Sequence, residues 1–143
     1  MKPPLGTRVD QEALWRGIVD GTIDVIETDH APHLLSEKEA GTAKFGVPGL
    51  ETALGLMARA AREGRINKED IPRLMYENPK RIFKIPDQHA TYIEVDFERS
   101  FIVRDEELET RSKWSPFAGW ELPGVVETVV LCGKTIVREG RVV

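Results

Sequence analysis

The sequence predicts an α/β chain in which helix and strand alternate over residues 1–86 and a small β-module follows over residues 87–143. Three observations predict it. A short apolar, β-branched run, Ile23-Asp24-Val25-Ile26, follows a helix-like stretch and stops at Thr28-Asp29-His30. Apolar residues recur at helical spacing from Leu50 to Ala61. Beyond Pro86 the helical period gives way to strand-like runs separated by turn residues.

Composition narrows the function classes. A length of 143 residues suits one domain, and 41% hydrophobic with 31% charged residues describes a folded, soluble chain. A net charge of −4 and scattered Lys and Arg argue against nucleic acid and anionic membranes as partners. No stretch approaches the ~20 apolar residues of a transmembrane helix. No apolar segment follows Met1-Lys2-Pro3-Pro4, so the expected compartment is the cytoplasm. Cys132 is the one cysteine, which excludes an internal disulfide. Its place in a strand-like run reads as a small buried hydrophobe.

Taken in order, Thr7 and Asp10 form a capping-box pattern. Leu14 and Ile18, with Ala13, Trp15 and Val19, make a short apolar stripe, and Gly21 can close that helix in a left-handed conformation. Ile23 to Thr28 then reads as a strand of a parallel sheet covered on both faces. Leu34 to Pro48 reads as a loop. Within it, Gly46-Val47-Pro48-Gly49 either brings backbone amides close to a ligand or simply turns into the next helix. Leu50 to Glu63 is a helix whose stripe is Leu50, Ala53, Leu54, Met57, Ala58 and Ala61, with Glu51 in its first turn and Gly64 as its stop. Asn67 or, preferably, Asp70 caps the following helix, which Asn78-Pro79 breaks. Tyr92 to Val95, Phe101 to Val103, Val125 to Leu131 and Thr135 to Val137 are strand-like, with Gly133-Lys134 as a hairpin turn. Asp105, Glu106 and Glu107 read as a solvated acidic face. The loop after them is aromatic, with Trp114, Phe117 and Trp120.

The chemistry concentrates at Asp29-His30-Ala31-Pro32-His33. In barrels of parallel strands, reactive groups sit where strands end at their carboxyl edge. An Asp there can ligate a metal, act as a base, or do both; an Asp at a strand end also serves as a plain cap. Pro32 turns the chain off the sheet and presents His33 on a loop.

With these residues laid out, the chain resembles the C-terminal portion of a dihydroorotase of the cyclic amidohydrolase superfamily. It is especially similar to the dihydroorotase domain of the animal multifunctional pyrimidine-synthesis proteins. Ile23 to His33 matches the family's "IDVIATDHAPH", Phe45 to Thr52 its "GxxGLET" loop, and Asn78 to Phe83 its "NPxRIF". Trp114-Ser115-Pro116-Phe117 and the Gly133-Lys134 hairpin match its closing β-module. The resemblance implies the last part of a (β/α)8 metal-dependent hydrolase barrel over residues 1–86 and a β-sandwich module over residues 87–143. It implies zinc-dependent, reversible cyclisation of N-carbamoyl-L-aspartate to L-dihydroorotate. By the same resemblance Asp29 is a zinc ligand and the acid/base, and His33 contacts a substrate carboxylate. The backbone at Phe45 and Gly46 meets the substrate ring. Lys2 stands where the family places Arg or Asn for the carboxylate, and offers charge without bidentate geometry.

The departures matter as much. The family's His-x-His motif, bridging carboxylated Lys and two further metal His are absent from this sequence. A catalytic zinc takes three protein ligands, so zinc is expected in the complete enzyme and not on this chain alone. A (β/α)8 barrel needs roughly 250 residues, so the chain is expected to be a fragment that self-associates or requires an N-terminal partner segment. Two alternatives stand beside this reading. One is a non-catalytic, dihydroorotase-like scaffold, with aspartate transcarbamoylase as a partner. The other is a piece of a hydantoinase- or allantoinase-type enzyme.

Overall fold

A computed structural model describes residues 4–40 and 44–143. Its first helix, α1 (Arg8–Val19), begins on the expected capping box: the Asp10 carboxylate accepts from the Thr7 amide and hydroxyl, each at 2.7 Å. Gly21, at φ 82°, closes it in the left-handed region, as its lack of a Cβ allows. Only part of the expected stripe is covered. Ile18 is buried and Trp15 half-buried, whereas Leu14 and Val19 are exposed.

The strand expected at Ile23 to Thr28 does not form. Among the described residues this stretch joins no ladder, and the only pairing near it is a parallel bridge between His30 and Val47. A strand exists only where a neighbouring backbone takes its amides and carbonyls, and here single bonds replace a ladder. The Ile26 amide donates to the Leu74 carbonyl at 3.2 Å, and Asn78 Nδ2 donates to the Asp24 carbonyl at 2.8 Å. The stretch is therefore pinned onto the helices. The expected loop at Leu34 to Pro48 contains a short helix, α2 (Leu35–Glu39), started by the Glu37 carboxylate accepting from the Leu34 amide at 2.8 Å.

Helix α3 (Leu50–Arg62) is where the spacing placed it, but it is buried over a different arc. Thr52, Gly55, Met57, Ala58 and Ala60 are buried, and Leu50 is 62% exposed. The small residues decide this. A Cβ on Gly55 would lie 2.9 Å from Leu122 Cβ, and one on Gly124 would lie 3.1 Å from Ala58 Cβ, so the sheet packs on the helix's narrow side. Ile18, Met57, Ala58, Ala60, Ile66, Ile71 and Leu74 form the buried cluster beside it.

Asp70 opens α4 (Asp70–Pro72), and its carboxylate accepts from the Asn67 amide and from Arg73. Asn78-Pro79 does not break the helix. A π-helical turn (Arg73–Glu77) carries the chain directly into α5 (Asn78–Phe83), with the Asn78 amide donating five residues back to the Arg73 carbonyl. Pro79 removes a donor and crowds the turn before it, and a wider turn at that place absorbs both effects.

The remainder is a four-stranded antiparallel sheet in the order β1-β2-β3-β4. Its strands are β1 (Tyr92–Ile102), β2 (Glu121–Leu131), β3 (Lys134–Arg138) and β4 (Arg141–Val142). The two runs expected before Arg104 are one strand, irregular between Asp96 and Ser100. The hairpin turn sits one residue earlier than expected. Cys132 (φ 50°) and Gly133 (φ 80°) both lie at positive φ, as the two-residue turns favoured in hairpins require. Cys132 is thus exposed at a turn and not buried in a strand. Asp105 departs from the solvated reading too, since its carboxylate accepts from the Ser115 amide at 2.8 Å. The architecture is α/β with a small antiparallel sheet and several helices; the described residues close no barrel. No helix among them is long and apolar enough to cross a membrane.

Candidate active site

Asp29 sits at the tip of the turn that leaves the helical layer. Its φ is 44°, in the left-handed region that Asp tolerates better than most residues, though still at a cost. The Glu27 carboxylate accepts from its amide at 2.6 Å. Among the described residues the Asp29 carboxylate itself accepts no hydrogen bond, and the side chain is exposed. A capping role would show as such a bond.

The two neighbouring histidines divide the work. His30 Nδ1 accepts from the Gly49 amide at 3.0 Å and the Leu50 amide at 3.3 Å, so the ring serves as the cap of α3. As the acceptor of these two bonds, Nδ1 is not available for ligation. His33 lies three residues on, half-buried, with Nδ1 3.9 Å from Glu37 Oε2. Its carbonyl accepts from the Trp114 indole at 2.7 Å.

The structure brings the Asp29–His33 turn against the Phe45–Gly49 loop. The Ala31 amide donates to the Val47 carbonyl at 3.0 Å beside the His30–Val47 bridge. Gly46 is buried at φ 103°, and a Cβ there would fall 2.3 Å from Ala31 Cβ. Only glycine satisfies that conformation and that approach together. Asp29, His33, Phe45 and Gly46 thus lie on two adjoining turns, while Lys2 lies outside the described residues.

The loop that carries Trp114 is held to α3 by a residue whose role the sequence did not reveal. Glu51, in the first turn of α3, accepts from the amides of Glu109 (2.8 Å) and Thr110 (2.9 Å) and from the Thr110 hydroxyl. Partial burial alone would raise its pKa. The three hydrogen bonds, with Lys113 nearby, outweigh that and hold the carboxyl below its ordinary range. Lys38 also escaped the sequence reading. Nothing in its local pattern separates it from a solvated helix lysine, yet its ammonium donates to the Gly46 carbonyl at 2.7 Å.

The donor set does not fit a self-contained zinc site. Among the described residues no three His, Cys, Asp or Glu side chains gather as a metal-holding group. Asp29 is one candidate ligand, and His30 is committed to α3.

No protein-family model matches the chain. It is 44% identical over 143 residues to the multifunctional protein pyr1-3 of Dictyostelium discoideum, spanning all of this chain and 6% of that protein. It is 37% identical over 147 residues to the dihydroorotase of Pyrococcus furiosus, spanning 99% of this chain and 34% of that protein. Among solved structures, the inactive dihydroorotase-like domain of a Chaetomium thermophilum CAD-like multifunctional protein matches with a TM-score of 0.79 and 32% identity. That match covers 97% of this chain and 39% of that one. The L-hydantoinase of Arthrobacter aurescens overlays more closely, at TM-score 0.92, but is 27% identical, over all of this chain and 35% of that one. The chain spans about a third of the length of its dihydroorotase relatives. Its sequence is homologous to the dihydroorotases and to CAD-type multifunctional proteins, as a C-terminal portion of that family.

Proposed function

From this homology we propose that the chain is the C-terminal portion of a dihydroorotase. The reaction is reversible cyclisation of N-carbamoyl-L-aspartate to L-dihydroorotate in pyrimidine synthesis, in the cytoplasm. The observation that carries the reading is the docking of the Asp29 turn on the Gly46 loop through Ala31 and Val47, in a chain 37% identical to a dihydroorotase.

In this reading Asp29 is the acid/base. Ring opening needs a proton taken from the attacking water and delivered to the leaving amide nitrogen, and a carboxylate free of structural bonds can carry it. Among the described residues Asp29 would be the one ligand to a zinc, and the rest of the protein would supply the others. His33 holds a substrate carboxylate by hydrogen bonding, with Lys2 as a cationic contact beside it. The backbone at Phe45 and Gly46 faces the ring. The rest of the enzyme, in the same chain or as an associating segment, covers the apolar surface left open at Leu5, Val9, Leu14 and Leu50.

A second reading, a non-catalytic dihydroorotase-like subunit associating with other enzymes such as aspartate transcarbamoylase, draws on two observations. These are the likeness to the inactive Chaetomium domain and the absence of a metal-holding group among the described residues. The hydantoinase alternative has only the overlay, and at 26–27% identity a shared fold does not choose the substrate.

The test is steady-state hydrolysis of dihydroorotate by this chain joined to the N-terminal remainder of the enzyme. Asp29→Asn keeps the left-handed turn but cannot carry the proton, and should lose about a thousandfold in kcat. His33→Ala should raise KM and leave metal content unchanged. Turnover near wild type in Asp29→Asn would sink the acid/base assignment, and an assembled protein inert in every form would leave the scaffold reading in place.

A further inference from the structure

We propose that Lys38 and Trp114 form a positioning pair that holds His33 and the Gly46 loop in one arrangement. The inference rests on the dihydroorotase reading for what those two elements contact, but not for the geometry. The Lys38 ammonium donates to the carbonyls of Gly46 (2.7 Å) and Lys44 (2.9 Å), on either side of Phe45. The same ammonium lies 5.5 Å from the centre of the Trp114 ring, within the range of a cation–π contact. The Trp114 indole N–H donates to the His33 carbonyl at 2.7 Å. One cation and one indole thus connect the backbone on both sides of the proposed substrate contacts.

Trp114 is itself fixed from behind. Its loop hangs on Glu51 through Glu109 and Thr110, and the next residue, Ser115, is held through Asp105. The loop therefore supplies a rigid post, and Lys38 ties the Gly46 turn to it. Losing the indole N–H frees the His33 carbonyl, and losing the ammonium frees the Gly46 turn. Each should cost substrate handling and leave the proton carrier at Asp29 untouched, so the defect belongs in KM.

Two measurements decide it. The first is hydrogen exchange on the full 143-residue chain. Trp114→Phe and Lys38→Met should each speed exchange at the Ala31 and His33 amides about fivefold, the scale of one hydrogen bond. Lys38→Arg should match wild type, and the β1–β2 amides should not change in any variant. The second is kinetics of the assembled enzyme, where both variants should raise KM about fivefold with kcat within about twofold. Unchanged exchange in Lys38→Met would overturn the pairing. So would a Lys38→Arg as loose as Lys38→Met, or a loss lying wholly in kcat. Should Trp114→Phe fail to fold, the two Lys38 variants still decide. If the assembled wild-type protein does not act on dihydroorotate, the functional reading fails and the exchange result alone settles the pairing.

Discussion

The sheet and the Asp29 turn are built in opposite ways. From Tyr92 opposite Val130 to Ile102 opposite Glu121, β1 and β2 satisfy each other's backbone, and β3 and β4 follow through two tight turns. The sheet's backbone pairing is drawn from consecutive strands, and α3 covers one of its faces. The Asp29 turn borrows from four distant places: the Leu74 carbonyl under Ile26, Asn78 under Asp24, the Gly46–Leu50 segment against His30 and Ala31, and Trp114 at His33. Such a segment has a shape only when its neighbours are in place. The turn is therefore less self-sufficient than the sheet.

The largest expected effect tests whether the two regions stand apart. Leu122 is fully buried and packs on Gly55, joining β2 to α3. Leu122→Ala should cost about 3 kcal/mol in chemical denaturation and speed exchange in α3 as well as in the sheet. Exchange confined to the sheet would show that the helices do not depend on it. A smaller effect belongs to His30. His30→Leu removes the acceptor for two amides at the head of α3 and should cost about 1.5 kcal/mol. His30→Asn, whose amide oxygen can stand at Nδ1, should recover most of it. Equal losses in both variants would mean that His30 matters by packing and not by capping.

The smallest effect is the most specific. Glu51→Gln should cost about 0.5 kcal/mol at neutral pH, since the group is largely solvent-screened. The wild-type carboxyl has a depressed folded-state pKa. Its contribution is therefore complete above the ordinary glutamate range of about pH 4–5 and is lost as the pH falls further, through the lower folded value. Denaturation of both proteins from pH 7 to pH 3 should show the difference shrinking toward zero at the acid end. A difference that is constant with pH would contradict the ionised clasp.

The same contrast explains what could be read from the sequence. The Thr7–Asp10 box, the α3 period and the β2–β3 hairpin are local, and their residues announce them. Ile23 to Thr28 has a strand's composition, but pairing depends on a neighbour that composition does not supply, so the expected strand is absent. Pro79 looked like a break because a π-helical turn has no sequence signal of its own. Cys132 looked buried because it follows Leu131, whereas the turn assigns it a positive φ. At the site, Asp29, His33 and Gly46 were legible as a motif. Trp114 meets His33 across 81 positions, and no periodicity reports a contact of that kind.

Under the proposed function this chain carries one part of an active site, with Asp29 at its centre, and the rest of the enzyme completes it. Dihydroorotate hydrolysis is measured for the 143-residue chain alone, for its mixture with the N-terminal remainder of a dihydroorotase, and for the same mixture carrying Asp29→Asn. Turnover is expected in the wild-type mixture only. Turnover by the chain alone, or a mixture in which Asp29→Asn works as well as wild type, would contradict it.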